Sequence, residues 1–306
     1  MKRNLKYLPV KWILDGLARL PFGLLYCISD FIFLLLFYVV RYRRKVALKN
    51  ISDSFPEKDE KEQKKILRQF YRNFADYFVE TIKLGHISDE EMKRRMEFVG
   101  VEEIDKAFDR GRSVAIYFSH CGNWEWAPSI SLWARHKPSD KLVFSQVYRP
   151  LKNEWFDQYF LKLRSRFGSV SFDKKMVFRD LLKLKRDNIL SITGFMSDQK
   201  PSHGDVGHIM MFLNHPTAII TGTETLARRL DMAVFYWDVD KPSRGHYRLT
   251  VKPIADHPGE MPMYSITDRY GRMLEETIRR NPAIWLWTHK RWKHPVEMPE
   301  DNAGQP

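Results

Sequence analysis

Between residues 113 and 254 the chain alternates short apolar runs with amphipathic stretches, and this alternation constrains the fold more than any other feature. Residues 113–118, 141–148, 168–172, 188–194, 233–240 and 247–254 read as strands. Residues 125–136, 153–167, 175–186, 218–230 and 265–280 read as helices, the last ended by Asn281 and Pro282. Strand and helix in this order predict an α/β fold with a mainly parallel, mixed sheet flanked by helices. Ligands of such sheets bind beyond the C-terminal ends of the strands, so those ends are where chemistry is sought. Upstream, residues 58–84 carry Ile66, Leu67, Phe70, Phe74, Tyr77, Phe78 and Ile82 at helical spacing. Two shorter helices, 89–95 and 101–110, lead to Gly111 as a C-cap.

Ahead of these elements, residues 23–40 read GLLYCISDFIFLLLFYVV, eighteen residues interrupted only by Asp30 and followed at once by Arg41, Arg43, Arg44 and Lys45. That length barely suffices to span a bilayer, and no small-residue cleavage site follows. The segment is predicted to be a membrane span or a deep interfacial anchor, with the basic cluster holding the downstream chain on the cytoplasmic side. Trp12, Tyr26, Tyr38 and Tyr42 suit the interface. The alternative is a hydrophobic helix packed on the domain, which Asp30 favours because a carboxylate inside a membrane is costly. With 51 Lys and Arg against 38 Asp and Glu, the chain has a net charge of +13, for which anionic phospholipid is the natural partner. No nucleic-acid-binding motif accompanies the charge. The two cysteines, Cys27 and Cys121, offer neither a disulfide framework nor a zinc spacing.

The strand 113–118 runs into SHCGNWEW, residues 119–126. His120 stands at its C-terminal end, Glu125 where the next helix begins, and Gly122 permits the turn between. A histidine serves as general base when a carboxylate accepts its second N–H and fixes the tautomer, so His120 and Glu125 are a candidate dyad. Ser119 adjoins His120, but successive strand residues point to opposite faces and no G-x-S-x-G elbow occurs, which argues against a serine hydrolase.

SHCGNWEW resembles the H-x4-D/E block of the glycerolipid acyltransferase superfamily, and more closely that of the lipid A biosynthesis late acyltransferases. Further blocks fit in order: VYRPLKN at 147–153, GFMSDQ at 194–199, GTETLAR at 222–228 and WLWTHKRWK at 285–293. The resemblance implies a glycerolipid acyltransferase-like fold and an N-terminal membrane anchor over 1–45, an acyltransferase domain over 46–295 and a polar tail over 296–306. It implies transfer of a fatty acyl chain from acyl carrier protein to a hydroxyl of a lipid A precursor at the cytoplasmic face of the inner membrane, without a covalent intermediate. By the same resemblance His120 is the base and Glu125 its orienter, Arg164 and Asp198 are further site residues, and Arg149 and Gln199 complete the set; on chemical grounds Asp198 is read as orienting Arg164.

Either the backbone N–H groups after Gly122 or Arg164 would receive the oxyanion. Arg149, Lys152, Arg164 and Arg166 are read as contacts to an anionic acceptor. The co-substrate is acyl-acyl carrier protein, and no cofactor is implied. His203, His208 and His215 lack the spacing of a closed zinc site, and no metal is assigned. The alternatives are a phospholipid or other glycolipid acyltransferase using the same dyad, disfavoured by the Trp-rich C-terminal block, and a membrane-tethered basic binding protein, which leaves the motifs unexplained.

Overall fold

The computed structural model describes residues 6–201 and 207–299. Its centre is a seven-stranded sheet in the order β1-β9-β8-β2-β5-β3-β4. These strands are β1 (Met96–Val99), β2 (Val114–Phe118), β3 (Leu142–Tyr148), β4 (Ser169–Asp173), β5 (Leu190–Met196), β8 (Ala233–Ser243) and β9 (His246–Ala255). From β8 to β4 all neighbours are parallel, whereas the hairpin β8–β9 is antiparallel and β1 follows β9. The α/β class and the mainly parallel sheet are as the sequence predicts. Every residue of β2 is buried, as a strand covered on both faces requires.

The helices are α1 (Leu8–Arg19), α2 (Phe22–Leu34), α3 (Arg44–Ser54), α4 (Glu60–Lys83), α5 (Asp89–Arg95), α6 (Val101–Asp109), α7 (Glu154–Arg164), α8 (Val177–Arg186), α9 (Gly222–Leu230) and α10 (Ser265–Arg280). A π-helical turn, Leu35–Val39, extends α2, so that Phe22–Val39 is one helix apolar and long enough to cross a membrane by length and composition. Helix α4 starts at a capping box, in which Asp59 accepts from the Glu62 N–H at 2.8 Å and Glu62 reaches back to the Asp59 N–H. It buries Ile66, Leu67, Phe70, Tyr71, Ala75 and Val79, the stripe its spacing dictates.

Three features depart from the sequence reading. The helix expected over 125–136 is a 3-10 helix, Trp124–Leu132, because Pro128 has no N–H and its ring clashes with the carbonyl an α-helical turn earlier. The helix expected from residue 218 starts only at Gly222, preceded by the hairpin β6 (Ile209–Phe212) and β7 (His215–Ala218). The strand β1 has four residues, too short to register as an alternation.

Candidate active site

The parallel register of β2 and β5 pairs Phe118 with Met196, and two residues further on each strand stand His120 and Asp198. His120 Nδ1 lies 2.8 Å from Asp198 Oδ1, and the His120 backbone N–H donates to Oδ2 at 3.1 Å. The Trp285 indole N–H donates to the same Oδ2 at 2.9 Å. Gln199 Nε2 lies 3.1 Å from His120 Nε2. An amide nitrogen only donates, so Nε2 accepts and Nδ1 carries the proton toward Asp198. Asp198 is 3% exposed. Burial pushes its carboxyl up, but the electrostatic pull of the His120 ring and the hydrogen bonds from His120 and Trp285 outweigh this and hold it below its ordinary value.

Glu125, 4% exposed, faces Arg164 at the end of α7. Arg164 Nε donates to Oε2 and Nη2 to Oε1, each at 2.7 Å, a bidentate fork, and the Tyr77 hydroxyl donates to Oε1 at 3.4 Å. Burial pulls the Arg164 guanidinium down, but its bonds to Glu125 raise it above its usual value. The expected pairings are therefore corrected: Asp198, not Glu125, holds His120, and Glu125, not Asp198, holds Arg164. The reason is tertiary. A neighbouring parallel strand delivers a carboxylate in register with the histidine. The turn after it is meanwhile tied to α4, with Asn123 Nδ2 donating to Glu80 Oε2 at 3.0 Å and Trp126 Nε1 to Glu80 O at 3.1 Å.

Gly122 sits in the left-handed region at φ +61, and a Cβ there would come within 2.8 Å of the Tyr247 ring. Its N–H donates to Ile284 O at 2.9 Å, which ties the turn to the segment ahead of Trp285. The Cys121 thiol is buried and its pKa is pushed up by that burial, so it is no thiolate nucleophile.

His120, Glu125, Arg164, Gln199 and Arg149 all line one cavity of about 690 Å³. Phe144, Ile192, Phe195 and Leu226 belong to its apolar lining. Arg149, Lys174, Lys175 and Lys200 belong to its basic lining. A cavity with an imidazole on a buried carboxylate and both apolar and basic lining side chains fits general-base chemistry on an amphiphilic anion.

The family model described as bacterial lipid A biosynthesis acyltransferase matches residues 4–294. The chain belongs to this family. The Escherichia coli (strain K12) lipid A biosynthesis lauroyltransferase is 22% identical over 285 residues, 93% of this chain and 89% of that protein. The palmitoleoyltransferase of the same organism is 23% identical over 265 residues, 83% and 80% of the two chains, and a Shigella flexneri lipid A biosynthesis acyltransferase matches to the same extent.

In this family member some expected anion contacts lie elsewhere. Arg166 donates to Leu84 O and to Asp89, and neither it nor Lys152 lines the cavity. His208 pairs with Asp268 and stacks on Tyr264, and His215 stacks on Trp292, while His203 lies outside the described residues. The sequence reading missed Glu80 and Trp285, which fix the turn and the carboxylate. Trp285 opens the WLWTHKRWK block, but nothing in that block says what its indole donates to.

Proposed function

We propose that the chain transfers a fatty acyl group from an acyl carrier protein thioester to a hydroxyl of a lipid A precursor at the cytoplasmic face of an inner membrane, with His120 as general base. The observation that supports this most directly is the His120–Asp198 pair, whose imidazole lines a cavity bounded by apolar and basic side chains. The acceptor hydroxyl takes the place of the Gln199 amide at His120 Nε2. As its oxygen attacks the thioester carbonyl, its proton passes to Nε2, and Asp198 stabilises the imidazolium. The tetrahedral intermediate collapses with cleavage of the C–S bond, and the departing thiolate takes the proton from Nε2, so no acid beyond the imidazolium is needed. Arg164 and Gln199 are the N–H donors lining the cavity that suit the oxyanion. Glu125 holds the guanidinium plane in place. The acyl chain lies among Phe144, Ile192, Phe195 and Leu226, and the acceptor's phosphates meet Arg149, Lys175 and Lys200.

Membranes holding the protein, incubated with a panel of acyl carrier protein thioesters and an under-acylated lipid A precursor, should add one acyl mass to that lipid. No gain with any donor sinks the reading, and gain on a phospholipid instead moves the acceptor.

A further inference from the structure

Helix α2 with its π turn would be about 27 Å long, enough to reach across the hydrocarbon of a bilayer. The segments that flank it on either side are nevertheless fastened to the same folded body. Ahead of it, the Tyr7 ring stacks on Trp155 with centroids 5.1 Å apart, and Asn153 Nδ2 donates to the Tyr7 hydroxyl at 2.8 Å. Lys83 Nζ donates to Ala18 O at 3.0 Å and Leu20 O at 2.8 Å. Behind it, the Tyr71 hydroxyl donates to Tyr42 O and Arg43 Nη1 to Thr288 O at 3.2 Å. Within it, Ser29 Oγ donates to Asp76 at 2.7 Å, Tyr26 to Glu80 at 3.2 Å, and Asp30 accepts from Arg244 Nη2 at 2.7 Å. Asp76 and Glu80 belong to α4, and Arg244 to the β8–β9 turn.

A spanning helix carries its two ends to opposite sides of a membrane, whereas these contacts hold both ends on one side. We infer that α2 is a monotopic anchor that lies along α4 in the plane of a single leaflet; this rests on the membrane location proposed above. Leu25, Ser29, Phe33 and Phe37 form the buried stripe toward the domain. The opposite stripe, Leu24, Phe31, Leu34, Leu35 and Val39, is exposed, with Val39 at 72%, and it enters the acyl region of that leaflet. Exposed Arg41, Arg43 and Lys45 at the helix end match anionic headgroups. Asp30 pairs with Arg244 at the flank and so has no need to enter hydrocarbon.

Two measurements on the full chain in a Cys27→Ser background test this. In the first, Lys6→Cys and Arg186→Cys are each treated with a membrane-impermeant maleimide in sealed inside-out and right-side-out vesicles. Both positions should react in the same vesicle orientation, and reaction in opposite orientations overturns the inference. In the second, Asp30→Cys combined with Arg244→Cys, with Ser29 and Tyr26 still holding the helix, should be joined by a short bis-maleimide in intact membranes. Absence of the cross-link overturns the inference, also where Lys6→Cys proves shielded in both orientations. Recovery of the unsubstituted chain in the soluble fraction would instead remove the membrane location itself.

Discussion

His120 and Asp198 stand 78 residues apart in sequence and 2.8 Å apart in space. The exchange of partners between His120, Glu125, Asp198 and Arg164 separates two roles that mutation distinguishes. His120→Ala should lower kcat by about 10²–10⁴-fold with an unchanged circular dichroism spectrum, the range for loss of a positioned base. Asp198→Asn should also cut kcat, while Glu125→Gln should lower stability as well as, through the loosened Arg164, kcat. Glu125→Gln leaves a half-buried guanidinium without its fork, which costs roughly 3 kcal/mol, read as a lowered thermal midpoint in detergent. Equal kcat losses without a stability loss for Glu125→Gln would return Glu125 to the role of orienter. A histidine at a strand end was legible in the sequence because a strand's last residue needs only local pattern to recognise. Which of two carboxylates faces it was not, because parallel register is a property of two segments.

At the scale of elements, the turn after β2 is held by α4, through Glu80, and by the C-terminal block, through Ile284 and Trp285. The α4 cap is local: Asp59→Ala removes the bond to the Glu62 N–H and should cost about 1 kcal/mol, measured by urea unfolding in detergent. On β5, Gly194 lines the cavity, and a Cβ there would meet the Phe118 ring at 2.9 Å. Gly194→Leu should therefore shift donor preference toward shorter chains, by about fourfold in kcat/KM per methylene excluded, seen in competition between two acyl carrier protein thioesters. An unchanged preference would place the acyl chain outside the cavity. Helix α4 and most strands were readable from periodicity alone. The 3-10 segment was not, since one proline changed the ladder inside a stretch whose apolar residues suit either helix.

At the scale of the whole molecule, the C-terminal block packs on Asp198 through Trp285 and on Ala218 through Arg291, leaving His289 half-buried and Arg291 buried. Burial pushes the His289 imidazole down from 6.5 to about 4 and the Arg291 guanidinium down to about 10. The folded state thus resists protonation of His289 while the unfolded chain accepts it. Stability from this group is fully present above pH 6.5 and is lost progressively as the pH falls from there to about 4. His289→Gln should flatten the fall of the urea midpoint across that window, and an unaltered slope would assign the acid sensitivity to other groups. The sequence by itself determined the α/β class, the apolar N-terminal helix and a histidine at the end of β2, because each rests on the period or composition of one continuous segment. Only the tertiary structure decided that Asp198 holds His120, that Arg164 forks onto Glu125 and that both ends of α2 are tied to one body. Those contacts join residues far apart in the chain, and strand register, burial and helix packing, none of them written in any single segment, select them.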